Sequence, residues 1–193
     1  MKDKPLVLGI VLTVLLFGAG CSSEDVGLTP TQQVYEVVMN ERMPDALTEV
    51  IVLSRTEAQY LREGNKDELR SYIQREVNVP DALLDRLFES AETSVALDWS
   101  PVMINAKFVD KAEISSDSNW SSRQFGQDFR AAFPEHQEFY ALSDVALSDD
   151  QSEAAVVLSH YCPVMCGSGE YLLYLKKTGI EWNVEGGTFF WIT

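Results

Sequence analysis

The chain has 193 residues, 46% of them hydrophobic, and a formal net charge of −15. That length supports one ordinary domain with a real core and leaves no room for several. The charge argues against a nucleic-acid surface and against docking of the protein surface on anionic lipid, since both would be repelled.

The N-terminus carries Lys2 and Lys4, then an apolar run from Leu6 to Phe17, then Gly18-Ala19-Gly20 and Cys21. The run is long enough for a signal-peptide core and too short to serve as a permanent membrane span. A charged start, an apolar core, small residues and a cysteine together resemble the lipobox of bacterial lipoproteins, with Gly18 where that pattern usually has Leu. The resemblance implies removal of residues 1–20 as a signal peptide and acylation of Cys21. Several acyl chains give stable membrane residence where one gives only marginal binding. Ser22 after the cysteine, rather than Asp, implies the outer membrane in a Gram-negative host. Processing would remove Lys2, Lys4 and Asp3, leaving 13 basic and 29 acidic residues in the mature chain.

Residues 21–29 read as the lipidated cysteine and a short tether, and 30–193 as a single domain. Thr29-Pro30 starts a helix with Val34, Val37 and Val38 on one face. Glu49–Leu53 is a short β-branched run expected to be a buried strand. Residues 57–77 have helical propensity broken near Gly64-Asn65. Asn78 and Pro80 then open a helix carrying Leu83, Leu84, Leu87, Phe88 and Ala91 at helical spacing. Val102–Ile114 is expected as a strand, and Trp120, Phe125, Phe129 and Phe133 as the apolar side of a helix ended by Pro134. Four strands follow: Phe139–Leu147, Ala154–Tyr161, Tyr171–Lys177 and Glu181–Ile192. Their links are too short for parallel crossovers, so an antiparallel meander is expected. Helices followed by a four-stranded meander make an α+β fold.

The C-terminal part resembles a family of uncharacterised bacterial lipoproteins and exported domains. The residues that carry this are Trp120, Phe129 and Phe133-Pro134, the run Leu142–Ser148, Ala155-Val156-Val157, Cys166-Gly167-Ser168-Gly169-Glu170-Tyr171, Leu173, Lys176-Lys177, Trp182 and Trp191. The resemblance covers mainly residues 118–193; it implies a fold and brings no catalytic residues. The meander is also similar to the sheets of nuclear transport factor 2-like and cystatin-like domains, an analogy of fold alone.

The densest chemistry lies at His160-Tyr161-Cys162-Pro163-Val164-Met165-Cys166. Two thiols in an exported chain point first to a disulfide, here one that staples a hairpin loop and mainly fixes its shape. Two alternatives stay open: a soft-metal site using His160, Cys162 and Cys166, since Cu(I) favours such ligands, and a reactive thiol pair. His160 shares a strand face with Val156 and Leu158, the position of a hydrogen-bonded packing residue. With two histidines in the chain, a Ser-His-Asp triad is hard to build. Glu135, Glu138, Asp144, Asp149, Asp150 and Glu153 read as a solvated acidic face, since their spacing matches no calcium loop. Phe189-Phe190-Trp191 is expected to put large rings on both faces of the last strand. The sequence therefore leads to a non-enzymatic, membrane-anchored module without cofactor, which binds an envelope protein or a small ligand and no nucleic acid.

Overall fold

The computed structural model describes residues 27–42, 49–97, 105–117, 119, 122–162 and 167–192. The signal segment, Cys21, most of the tether, Trp120 and Cys166 lie outside those residues. Helix α1 (Pro30–Arg42) opens with a reciprocal cap. The Gln32 amide donates to Thr29 Oγ1 and the Thr29 amide to Gln32 Oε1, satisfying two amides that a helix start leaves unpaired. The other helices are α2 (Gln59–Glu63), α3 (Lys66–Glu76), α4 (Asp81–Ser90), α5 (Lys111–Ile114) and α6 (Arg123–Ala132). Strands are β1 (Val50–Leu53), β2 (Ala106–Val109), β3 (Phe139–Leu142), β4 (Ala146–Leu147), β5 (Glu153–Tyr161), β6 (Gly169–Thr178) and β7 (Glu181–Ile192).

The strands form one seven-stranded sheet in the order β2-β1-β3-β5-β6-β7, with β4 beside β5. β2, β1 and β3 are mutually parallel, while β3, β5, β6 and β7 run antiparallel in turn. The fold is thus α+β on a mixed, open sheet, wider than the expected four strands. Long helical connections separate β1 from β2 and β2 from β3, and parallel neighbours need such crossovers. β6 and β7 are joined by Gly179-Ile180, a two-residue turn whose glycine has φ of 66°. That positive φ at the first turn position is what glycine supplies without a steric penalty.

Two strand expectations need correction. Phe139–Leu147 is broken after Leu142, because Ser143 Oγ accepts the Val157 amide at 2.8 Å and Asp144 turns back on the Val145 amide. Short polar side chains of this kind compete with the strand ladder. Of Val102–Ile114, only Ala106–Val109 is a described strand. Asp110 then caps α5 in a capping box with Glu113.

Strand alternation divides the core between two faces. Val34, Tyr35, Val38 and Met39 of α1 pack on Tyr140, Leu142, Val156, Leu158, Leu173 and Leu175. The Tyr35 hydroxyl donates to the Ser143 carbonyl, and Trp182 Nε1 donates to Gln33 Oε1, so α1 is fixed to both halves of the sheet. The opposite face meets α2, α3 and α4 through Val157, Leu172 and Tyr174. It meets α6 through Ile51, Leu53, Phe139 and Ala141, against which Phe125 and Phe129 are fully buried.

Candidate functional site

On the α1 face, at the end of the sheet that carries the β5–β6 connection, the side chains leave a cleft of about 340 Å³. Arg42 comes from the last turn of α1, Tyr140 from β3, Leu158 and His160 from β5, Tyr171 from β6 and Phe189 from β7. Gly167, Ser168 and Gly169 complete the wall. The cross-strand register explains the gathering: Tyr140 pairs with His160, Leu158 with Tyr171, and Tyr171 with Phe189. Cross-strand partners share a face, so all five project to the same side.

One wall is a hydrogen-bonded polar group. Glu138, just ahead of β3, takes His160 Nε2 at 2.8 Å on one oxygen and the Tyr140 hydroxyl at 2.8 Å on the other. The Tyr140 and His160 rings stack with centroids 5.0 Å apart. The His160 hydrogen bond, aided by the Tyr140 hydroxyl and opposed by burial, holds the Glu138 carboxyl below its ordinary range. Burial, then Glu138, pushes the Tyr140 hydroxyl well above its ordinary value. Glu138 is therefore an acceptor-only carboxylate, and the imidazole must carry its proton on Nε2. That leaves Nδ1 as the histidine's second polar atom.

The other wall is aromatic. The Tyr171 and Phe189 rings lie 4.4 Å apart, and the Arg42 guanidinium sits 4.1 Å above Tyr171. Tyr171 can lie flat because residue 187 is glycine: a Cβ there would come within 2.3 Å of its hydroxyl. The cleft thus offers apolar ring surface, one guanidinium and a neutral tyrosine hydroxyl, the equipment for holding an organic molecule.

His160 is a half-buried, hydrogen-bonded residue on the face expected from alternation. Cys162 is buried just beyond β5, and its amide donates to Ser168 Oγ at 3.0 Å, which ties the end of β5 to the residue ahead of β6 beside the cleft. The acidic residues do not converge on one point. Glu138 is bound as above, Asp149 pairs with Arg86, Asp150 binds Ser148 and Ser152, and Glu153 meets Tyr174 and Lys176. Among the described residues no three His, Cys, Asp or Glu side chains gather in a metal-holding group.

Arg42, Tyr140, Tyr171 and Phe189 were not singled out together by the sequence. Strand parity relates His160 to its own strand, but the partners become visible only with the register. Comparison with family models, with curated proteins and with solved structures finds no match.

Proposed function

We propose that the chain is an exported bacterial lipoprotein, cut ahead of Cys21 and held in the envelope by lipid on that cysteine. Residues 30–193 then form a non-enzymatic module that binds a small ligand in the cleft of Arg42, Tyr140, His160, Tyr171 and Phe189. The observation that carries the binding reading is the pairing of ring surface with a guanidinium at the mouth of the cleft. That combination suits an apolar or aromatic body bearing a carboxylate or sulfonate, because guanidinium binds such anions with charge-assisted hydrogen bonds. The lipobox-like run Leu6–Cys21 supports the anchor, and Ser22 supports the outer membrane. The antiparallel half, β3 to β7, supports kinship in layout with nuclear transport factor 2-like or cystatin-like sheets. The parallel β2-β1-β3 half falls outside that pattern.

The test uses the Cys21→Ser chain and 8-anilinonaphthalene-1-sulfonate, an aromatic anion. Saturable binding is expected, weakened about tenfold by Arg42→Ala, the value of one charge-assisted contact. Binding indifferent to both Arg42→Ala and Phe189→Ala overturns the cleft assignment. Labelled palmitate should enter the wild-type chain and not the Cys21→Ser chain. For Cys162 and Cys166 the reading is a disulfide staple, and the alternative is a metal or thiol–disulfide site that includes His160. The engagement of His160 Nε2 with Glu138 favours the staple. Intact mass should show two thiol hydrogens lost and no alkylation, whereas a copper or zinc adduct would move the function to that hairpin.

A further inference from the structure

Glu170 lies between Gly169 and Tyr171, two residues that line the cleft, and alternation sends its side chain to the opposite face of β6. There it is completely buried, and among the described residues no lysine, arginine or histidine forms an ion pair with it. Its oxygens accept the Tyr60 amide, at 3.2 and 3.4 Å, with weaker support from the Ser159 hydroxyl and the Gln59 amide. Ser159, its cross-strand neighbour on β5, is also buried, with a hydroxyl that makes no well-formed hydrogen bond. A carboxylate taken out of water without a cation is costly, so this arrangement lacks a positive charge.

Beside Glu170 the surface opens into a cavity of about 280 Å³ lined also by Tyr60, Glu63 and Trp191. Two rings and two carboxylates meet here because of a bulge in β7. Glu170 pairs with Trp191 while Tyr171 pairs with Phe189, so Phe190 is the extra residue. A bulge of this kind lets two successive side chains leave on one face. Phe190 stacks under Tyr60, centroids 5.6 Å apart, and steadies that ring at the cavity edge.

We propose that this cavity is a binding site for a small organic ammonium ion, with Tyr60 and Trp191 as its aromatic walls and Glu170 and Glu63 as its counter-charges. Ring faces attract cations, trimethylammonium groups above all. The chain's net negative charge raises the local concentration of any cation. Among the described residues no three His, Cys, Asp or Glu side chains gather here to hold a metal ion. Burial, opposed by the Tyr60 amide and Ser159, raises the Glu170 carboxyl from 4.5 to about 7. Binding is thereby tied to proton release. The charged groups around Glu170 are Glu63 and Arg62 of α2 and, ahead of α2, Glu57 with its partner Lys111. Arg62 lies 3.7 Å from Glu57 and acts only weakly on Glu170, as the last of the groups that favour its ionised form. The site lies on the face opposite the cleft and stands or falls separately from it.

The experiment titrates choline, and its neutral isostere 3,3-dimethyl-1-butanol, into the full chain in a glycoside detergent. Choline should bind saturably and roughly tenfold more tightly than the isostere, a gap set by the charge. Because only the ionised carboxylate binds the cation, affinity should be about thirtyfold higher near pH 8 than near pH 5.5. Glu170→Gln keeps an acceptor for the Tyr60 amide and should abolish that pH dependence. Tyr60→Leu should weaken choline at both pH values and leave the pH dependence in place. Phosphatidylcholine vesicles, whose phosphate would meet Glu63, should not compete; competition would reassign the site to a lipid headgroup. Equal affinity for choline and the isostere, or unchanged pH dependence in Glu170→Gln, overturns the proposal.

Discussion

Glu138 and Glu170 lie at the same end of one sheet, on opposite faces, and are stabilised in opposite ways. Glu138 has an imidazole on one oxygen and a tyrosine hydroxyl on the other, and its affinity for protons is lowered. Glu170 accepts the Tyr60 amide, has no ion-pair partner among the described residues, and is fully buried, so its affinity for protons is raised. Glu170 is fully buried and Glu138 only half-buried: burial sets the state of the first, and the His160 hydrogen bond sets that of the second. The Glu138 face is internally hydrogen-bonded and presents rings and a guanidinium. The Glu170 face holds a buried carboxyl with no ion-pair partner among the described residues.

The largest effect expected from this contrast is on stability against pH. Glu170 holds its proton more tightly folded than unfolded, so its contribution is complete below about pH 4.5 and is lost as pH rises through about 7. The shift from 4.5 to about 7 corresponds to an upper bound of about 3 kcal/mol. Denaturant midpoints across that range should fall in the wild type relative to Glu170→Gln, and matching slopes would refute the assignment. Next comes Gly187→Ala. Its Cβ would meet the Tyr171 hydroxyl and, at 2.7 Å, the Leu172 carbonyl, which cannot step aside. A loss of about 1–3 kcal/mol is expected, with ligand binding in the cleft weakened too, because Tyr171 must lift. The smallest effect belongs to His160→Ala, which strips Glu138 of one partner but leaves the Tyr140 hydroxyl. About 1–2 kcal/mol should be lost near neutral pH. That loss should shrink as pH falls through the carboxyl range, since a depressed carboxylate contributes only while ionised. A pH-independent loss would point to ring packing instead.

Local signals in the chain were readable where one residue type has one physical job. Thr29-Pro30 announced α1, Val50–Leu53 announced a buried strand, and Phe125 and Phe129 announced an apolar helix face. The α5 start was also written in the chain as Asp110 with Glu113 three residues on, a capping-box spacing inside a stretch that otherwise read as strand. Pairing was not readable, because a period of two identifies a strand without naming its neighbours. β1 therefore gave no hint that it sits in parallel between β2 and β3. Phe190 and Trp191 defeated alternation for a definite reason, since a bulge is a property of two strands together. Of the cleft, His160 and the Phe189 ring were legible; Arg42 arrives from a helix 118 positions before His160 in the chain. Glu170 carried a signal of its own: a single acidic residue directly ahead of the apolar run Tyr171–Leu175.

Helix α1 has its start at the tether and its end, Arg42, at the cleft. Thirteen residues at about 1.5 Å each make it about 20 Å long. In the proposed lipid-anchored form, the chain would leave the domain at Pro30, one helix length from the cleft mouth. The covalent reach from Cys21 to Pro30 is at most about 30 Å. The cleft mouth and the proposed point of attachment therefore lie at opposite ends of α1.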